Sequence, residues 1–266
     1  MNIKPLRTPK IIKPHDDLME AIKQTLEENK ISEIKERSVL IVAETVVATT
    51  QGRIIDITKS RNIRVSSTAQ KLGNRFEINP ILVHYIIQEA DHIFGGLPGL
   101  LLTEKQGILI ANSGIDKSNS GSDTEYSLWP EDPFKEAEKI KNYIKTQFNL
   151  SNFGVIISDS RVHPMRRGVV GIAIGVAGFE PIVNCKGKKD LFGYPLKHTE
   201  RALADQLADA AHVMMGEADE QTPFVLCEDV PVNFTNEAID TKSMLMPKEK
   251  DLFLQILKDY EKNKIL

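Results

Sequence analysis

Several features that would assign the chain to a well-known class are scarce or missing in its 266 residues. It contains two cysteines, Cys185 and Cys227, which lie far apart without the spacing of metal ligands. This argues against a disulfide framework or a zinc site and favours packing roles for both. No apolar run approaches the ~20 residues that cross a bilayer, and the N-terminus lacks the apolar core of a signal peptide. The sequence therefore predicts a cytoplasmic protein with no membrane partner.

An excess of charge of one sign is also missing. The 34 basic and 37 acidic residues leave a formal net charge of −3, which gives no reason to expect binding to nucleic acid. The common phosphate-binding loops are absent too, because the glycines at 168, 171, 175 and 178 form neither a G-x-G-x-x-G pattern nor a P-loop. Since these glycines alternate with apolar residues, they favour a strand with bulges or close backbone approach.

The remaining patterns predict a mixed chain of helices and strands. Its length suffices for one large domain or two smaller ones. Apolar runs predict strands at 38–47, 107–110, 153–157, 168–178 and 224–227. Helical spacing and capping residues predict helices at 15–30, from 79–80 onward, from 129–133 onward, at 199–215 and at 248–266. Glycine and proline predict a turn over 94–99.

Two aspartates stand out because each follows an apolar run that predicts a buried strand. Asp116 follows 107–110 on a loop with Asn, Ser and Gly, and Asp159 follows 153–157. Carboxylates and hydroxyls suit Mg²⁺ or Mn²⁺, so two aspartates at strand ends are able to share one cation. Both are equally able to cap turns, as aspartates often do. The residues alone leave both interpretations open.

Longer motifs follow one another in an order that is far more specific than either aspartate. They are Asn112–Asn119, Leu128–Pro133, Asp159–Ser160, Arg167–Gly178, Asp190–Gly193, Ala204–Asp205 and Met215–Gly216. From about Pro14 to Cys227 this series resembles the coenzyme F420-0:L-glutamate ligase family.

The resemblance implies an α+β fold of two domains with mixed sheets, assembled as an intertwined homodimer. The family region would extend over residues 1–266 as two subdomains whose boundary the sequence does not give. The activity implied is that of a ligase that activates the carboxylate of a phosphorylated deazaflavin acceptor with GTP and joins it to L-glutamate through an amide bond. Mg²⁺ or Mn²⁺ would neutralise phosphate charge and orient the transfer. A monovalent cation such as K⁺ is a further candidate cofactor.

Carried over by motif, the resemblance also assigns site residues. Asp116, Asp159, Ser160 and Glu217 match metal ligands, although glutamine is usual in the family at the last position. The nucleotide contacts match Asn119 and the segment Met215, Gly216, Glu217, Ala218, Asp219, Glu220, Gln221 and Thr222. No residue is assigned as a catalytic acid, base or nucleophile.

The chain departs from the family pattern near the end of the first long predicted strand. Thr45 and Thr49 stand where the family usually has lysines, and Glu44 replaces a small polar nucleotide contact. We expect weaker GTP binding, because cations that would face phosphate are lost and a carboxylate is gained. Five other basic residues remain candidates for phosphate contacts: Arg161, Arg166, Arg167, Lys188 and Lys189.

Three functions fit these features. The first is a ligase that acts on the deazaflavin precursor. The second is a diverged ligase that uses the same metal centre on another carboxylate acceptor. The third is a nucleotide-binding protein that has kept the fold and lost catalysis. Fold alone does not separate them.

Overall fold

The structure, a computed structural model, describes residues 1–256, without the side chains of Arg61 and Asn62. The strands are β1 (Asn2–Leu6), β2 (Ser38–Ala43), β3 (Ile54–Asp56), β4 (His92–Leu97), β5 (Leu100–Lys105), β6 (Ile108–Ala111), β7 (Glu125–Ser127), β8 (Phe153–Val162), β9 (Val169–Ala177), β10 (Ile182–Asn184), β11 (Glu200–Ala202) and β12 (Phe224–Glu228). The helices are α1 (Leu18–Glu28), α2 (Glu44–Thr50), α3 (Ser67–Phe76), α4 (Pro80–Glu89), α5 (Pro133–Phe148) and α6 (Leu203–Met215). The mixture of helices and several sheets confirms an α+β fold.

The chain divides into two compact units. Unit 1 comprises Met1–Arg53 and Pro130–Met244, and unit 2 comprises Ile54–Trp129 with the C-terminal segment from Leu245. Within that last segment 252–256 is helical, and the rest of the helix predicted at 248–266 lies outside the described residues. Among residues 1–256, no helix combines the length and the apolar character needed to cross a bilayer.

Unit 1 is built on a five-stranded sheet in the order β1-β12-β2-β8-β9. Neighbouring strands are antiparallel except for β2 and β8, which are parallel. These two strands are central, which explains why both are continuous apolar runs rather than alternating ones. Helix α6 packs its apolar stripe against the sheet, and Leu203, Leu207 and Ala211 join the buried core there. Both cysteines are buried free thiols, and burial raises the pKa of Cys227 to about 11, as befits a packing residue.

Strand β9 forms one edge of this sheet, and helix α6 supplies acceptors for its backbone. Asp205 Oδ1 accepts a hydrogen bond from the Ala173 N–H at 3.0 Å, and Asp209 Oδ1 accepts one from the Gly171 N–H at 3.1 Å. A Cβ at Gly171 would lie 2.7 Å from the carbonyl oxygen of Ala208. The glycines of β9 therefore permit close backbone approach, as their pattern predicts.

Unit 2 contains a three-stranded antiparallel sheet, β4-β5-β6, and a two-stranded ladder, β3-β7. Helices α3 and α4 close its core, which includes Val83, Ile86 and Leu101. Trp129 is fully buried, and a Cβ at Gly114 would lie 2.1 Å from its indole nitrogen. The indole ring thus occupies the place of a side chain at Gly114, in the loop that leads to Asp116.

Several predicted element bounds were wrong. The strand predicted over 38–47 ends at Ala43, and α2 begins at Glu44. Most of the turn predicted over 94–99 belongs to β4. The strand predicted at 153–157 continues to Val162, because β9 pairs with it over its whole extension. The helix predicted from 199 starts at Leu203, after the short strand β11. In α6 the buried methionine is Met215, and Met214 is exposed.

Candidate functional site

Asp116 lies in unit 2 on a loop whose backbone is firmly held. After β6, Asn112, Ser113 and Gly114 all have positive φ and turn the chain. The buried Ser113 donates its N–H to Thr103 Oγ1 at 2.8 Å and its hydroxyl to the Ile86 carbonyl at 3.2 Å. These bonds direct the loop outward at the strand end, as predicted, although only Ile110 of β6 is buried.

The side chains of residues 116–119, which follow this turn, are exposed. Asp116 exchanges two backbone hydrogen bonds with Ser127, at 3.1 and 2.8 Å, which fix its position. Its Oδ1 accepts the N–H of the adjacent Lys117 at 2.7 Å, one residue short of the bond that defines an Asx turn. Asn119 is exposed and has a φ of 54°. This contact holds the side chain against its own backbone, and the exposed carboxylate still has acceptor positions for a cation. The turn and the metal interpretations of Asp116 both stay predictions.

Asp159 and Ser160 lie in unit 1 inside strand β8, not after it. Asp159 pairs with Ile172 and Ser160 with Gly171 of β9. Both side chains are half-buried, and Asp159 Oδ1 accepts the Ser160 N–H at 2.6 Å. The prediction that Asp159 projects from a strand end was wrong, because the ladder with β9 extends beyond the apolar run. A paired strand fixes these two residues more tightly than a loop would.

The segment 215–222 begins with the last residue of α6 and continues as the loop that leads to β12. Met215 is buried in the core of unit 1, so its side chain faces away from solvent, while Glu217, Ala218, Asp219 and Glu220 are exposed. Gly216 has a φ of 72°, and a Cβ there would lie 2.1 Å from the Glu220 carboxylate carbon. The loop therefore folds back on itself around this glycine.

Hydrogen bonds hold this loop within itself and to Thr8. The Thr222 hydroxyl donates to the Met215 carbonyl at 2.9 Å, and Glu220 Oε2 accepts the Ala218 N–H at 2.8 Å. Gln221 donates its side-chain amide to the Thr8 carbonyl at 3.1 Å, and its own carbonyl accepts the Thr8 N–H at 3.0 Å. The segment is consequently a shaped, acidic loop rather than an extended linker.

A hydrogen-bonded chain that the sequence did not predict joins β8 to this loop. Ser158 Oγ lies 2.7 Å from His212 Nε2, and His212 Nδ1 lies 3.4 Å from Glu217 Oε1. Ser158 is fully buried, the His212 side chain is 15% exposed and that of Glu217 is 57% exposed. The only available signal was the polar His212 within the mostly apolar run 210–215.

The residues assigned to metal binding offer only oxygen atoms, which are the donors that Mg²⁺ and Mn²⁺ prefer. Among the described residues, no three His, Cys, Asp or Glu side chains already form a metal cage. Mg²⁺ commonly binds through one or two carboxylates together with substrate phosphates and water, so a complete protein cage is not required. Asp116 belongs to unit 2 and Asp159 to unit 1, and a cation shared by the two stays a prediction.

The region of Glu44 is helical, whereas the sequence predicted a strand over 38–47. Glu44 is the first residue of helix α2 and is buried, and its carboxylate accepts from both the N–H and the hydroxyl of Thr45. A carboxylate at a helix N-terminus is favourable and contributes to the stability of α2, although the run is rich in Thr and Val. Thr49 is buried on the same helix. Weaker GTP binding stays a prediction.

The remaining basic candidates differ in exposure. Arg161 is half-buried, and its Nε is buried without a hydrogen-bond partner, whereas the other four are exposed.

A groove of about 380 Å³ in unit 1 lies elsewhere and contains none of the assigned site residues. Its lining includes Phe134, Lys135, Glu138, Val176 and Ile239.

Comparison with known proteins identifies the family. The family model described as F420-0:Gamma-glutamyl ligase matches residues 5–229. The chain belongs to this family. The resemblance seen in the ordered motifs is thereby confirmed, and the chain is a ligase of the class that forms amide bonds.

Three relatives illustrate the breadth of the match, and each is named Coenzyme F420:L-glutamate ligase. The protein of Methanocaldococcus jannaschii is 40% identical over 83% of this chain and 86% of its own length. That of Methanothermobacter thermautotrophicus is 35% identical over 90% of this chain and 92% of its own. That of Archaeoglobus fulgidus is 30% identical over 97% of this chain and 98% of its own. The similarity therefore spans both units of the fold.

Proposed function

We propose that this member of the family is a GTP-dependent and divalent-cation-dependent ligase that joins L-glutamate to the deazaflavin precursor F420-0. The observation that carries the proposal is the joining of two assigned segments in unit 1. The chain Ser158–His212–Glu217 connects the strand of Asp159 and Ser160 to the loop assigned to the nucleotide. Oxygen donors and a nucleotide loop fixed to one another are what phosphoryl transfer needs, because its catalysis is mainly positioning and charge stabilisation.

The charge of the loop supports the need for a cation. Glu217, Asp219 and Glu220 are exposed carboxylates, and a triphosphate placed against them would be repelled. Asp116, Asp159, Ser160 and Glu217 would hold Mg²⁺ or Mn²⁺. When bound, the cation would supply positive charge to the phosphate oxygens.

The reaction then has two parts. The terminal phosphoryl group of GTP passes to the carboxylate of the acceptor, which releases GDP. The amine of L-glutamate attacks the activated carboxyl carbon, the new C–N bond forms, and phosphate and a proton leave. Asn119 and the loop 215–222 would orient the nucleotide, so that the in-line geometry of the transfer is set before reaction. We further propose a homodimer and stimulation by K⁺.

The test is an assay of the purified chain with F420-0, L-glutamate, GTP and Mn²⁺. We expect an acceptor that is heavier by one glutamyl residue, with one GDP released for each amide formed. Omission of the cation, or ATP in place of GTP, should greatly reduce turnover. Mass spectrometry of the acceptor, nucleotide chromatography and light scattering for the dimer give the readouts. The same assay with and without added K⁺ tests the proposed stimulation, and we expect faster turnover with K⁺.

The positions of Glu44, Thr45 and Thr49 favour one alternative, a diverged ligase that uses another carboxylate acceptor. The Thr45 N–H and hydroxyl already bond to Glu44, so they are occupied donors rather than open phosphate contacts. GTP cleavage that depends on another carboxylic acid and not on F420-0 would favour this alternative. GTP binding without cleavage, for any acceptor tested, would favour an inactive nucleotide-binding protein.

A further inference from the structure

His212 has two polar partners on opposite sides of its ring. It lies in the last turn of α6, with Nε2 at 2.7 Å from the hydroxyl of Ser158 and Nδ1 at 3.4 Å from the carboxylate of Glu217. The neutral ring donates through one nitrogen and accepts through the other. A carboxylate only accepts, so Nδ1 carries the proton toward Glu217, and Nε2 accepts from the Ser158 hydroxyl.

The order Ser–His–Glu resembles that of nucleophilic hydrolases, but burial excludes such a role for Ser158. A nucleophile must reach its substrate, and Ser158 has no exposed surface. The serine is therefore the inner support of the ring, and the exposed end of the chain is Glu217. Any contact between this hydrogen-bonded series and a ligand is therefore made by Glu217.

Local features of the sheet are arranged to admit this ring. The ladder between β8 and β9 has an irregularity between Ile157 and Ser158, and such bulges redirect side chains. Across the ladder, a Cβ at Gly171 would lie 2.7 Å from His212 Cδ2. The absence of a side chain at Gly171 therefore leaves the space that the imidazole occupies.

Strand alternation connects this chain to an assigned ligand. Ser158 and Ser160 are two residues apart on β8, so they lie on the same face of the strand, whereas Asp159 lies on the other. That face carries the contact with His212, whose second nitrogen is directed to Glu217. Ser160 and Glu217, two of the assigned metal ligands, are thus related through one histidine.

We propose that His212 is a positioning residue that holds the Glu217 carboxylate for a divalent cation and fixes the start of the loop 215–222. The proposal rests on the proposed function for the identity of the cation. Outer partners of this kind orient ligands, and their loss typically weakens metal binding by about 10-fold to 100-fold. Because Glu217 is 57% exposed and its contact is 3.4 Å long, we expect the lower end of that range.

Three substitutions of the full-length chain separate the two sides of the ring. His212→Asn retains a polar group near the position of Nδ1, His212→Gln retains one near Nε2, and His212→Ala retains neither. His84→Asn is the matched control, since His84 lies on α4 in unit 2 with its ring against Tyr85. Mn²⁺ alone is the probe, titrated by calorimetry. Hydrogen exchange of amides 216–222 in metal-free protein is the second readout.

For a positioning role, His212→Gln and His212→Ala should bind Mn²⁺ about tenfold more weakly and exchange the loop amides faster. His212→Asn should stay within about twofold of the wild type in affinity, as should His84→Asn. If His212→Gln behaves like the wild type and His212→Asn does not, the histidine serves only Ser158 and the proposal fails. It also fails if all three variants match the wild type in both readouts.

The same experiment distinguishes failure of the proposed function from failure of the proposal for His212. A wild-type chain that takes up no Mn²⁺ contradicts the metal dependence. Hydrogen exchange then still decides whether His212 fixes the loop, since that measurement needs no cation. Equal hydrogen exchange of amides 216–222 in the wild type and all His212 variants would contradict the role of His212 in fixing the loop, whatever the Mn²⁺ result.

Discussion

Units 1 and 2 each carry an aspartate after an apolar strand run, yet the two settings differ. Asp159 lies within β8, one residue beyond the end of the ladder with β2, where it pairs with β9, and its side chain is half-buried. Asp116 lies beyond β6 on a loop held by Ser113 and Ser127, and its side chain is exposed. The unit 1 aspartate is fixed by a ladder, and the unit 2 aspartate by a few backbone bonds.

The difference shows that an apolar run locates a strand but not its end. The strand ends where its partner stops pairing, and β9 pairs with β8 as far as Val162, five residues beyond the run. In unit 2 the chain leaves the sheet after Ala111, because three consecutive residues have positive φ. A paired strand position resists displacement, whereas a loop position depends on its local bonds.

The largest expected effect comes from removing either carboxylate charge. Asp159→Asn and Asp116→Asn should each lower the rate of GTP-dependent glutamate ligation by about 10²-fold to 10³-fold, since a cation contributes several kcal/mol to charge stabilisation. Steady-state kinetics with Mn²⁺ would measure this loss. Asp123→Asn is the control in unit 2, because its fully exposed carboxylate only pairs with Lys117 at 3.2 Å. Wild-type rates in Asp116→Asn would leave Asp159 as the sole aspartate of the site.

The second prediction tests how the Asp116 loop is held. Gly114→Ala should lower the free energy of unfolding by roughly 3 kcal/mol, because it combines a φ of 71° with a clash against the buried Trp129. Gly168→Ala in unit 1 is the matched control. Gly168 has a φ of 91° and no neighbour within 4 Å, so only the backbone cost of about 1 kcal/mol remains. Equal losses, measured by urea unfolding, would show that Trp129 does not restrain the loop.

Local signals in the sequence predicted much of the fold. The helices predicted at 15–30 and from 79–80 onward are present as α1 and α4, with Asp17 and Asn79 as their N-caps, and Gly216 follows the last residue of α6. The change from strand to helix at Glu44 was not predictable, because β-branched residues favour strands and only the tertiary setting overrides them. The Ser158–His212 contact was equally hidden. It joins residues 54 positions apart through a bulge that no local pattern encodes.

A smaller effect, on Mn²⁺ affinity, is expected from Glu217, the exposed end of the hydrogen-bonded series Ser158–His212–Glu217. Glu217→Gln should weaken Mn²⁺ binding by roughly fivefold, about 1 kcal/mol, because it removes one anionic ligand that solvent partly screens. Calorimetric titration of Mn²⁺ is the measurement. Glu220→Gln is the control in the same loop, since glutamine keeps an acceptor for the Ala218 N–H. An unchanged affinity in Glu217→Gln would remove Glu217 from the proposed ligands and leave Asp116, Asp159 and Ser160.

The smallest expected effect concerns carboxylate burial, which is what separates Asp159 from Asp116. Asp205 in unit 1 is the clearest case, because burial raises its pKa above the ordinary value of 3.8, against the opposing effects of the Ala173 N–H and Arg161. A raised pKa in the folded state means that folding favours the protonated carboxyl. This contribution to stability is present below pH 3.8 and is lost as the pH rises through the folded pKa.

Asp205→Asn should abolish this loss while keeping an acceptor for the Ala173 N–H. Relative to the wild type, its free energy of unfolding should therefore rise as the pH increases from about 4 to 7. Urea unfolding at several pH values provides the measurement, and Asp209→Asn controls for loss of a carboxylate from the same face of α6. Parallel curves for the wild type and Asp205→Asn would mean that the edge of β9 leaves Asp205 as hydrated as a surface carboxylate. Burial would then not distinguish Asp205 from an exposed carboxylate such as Asp116.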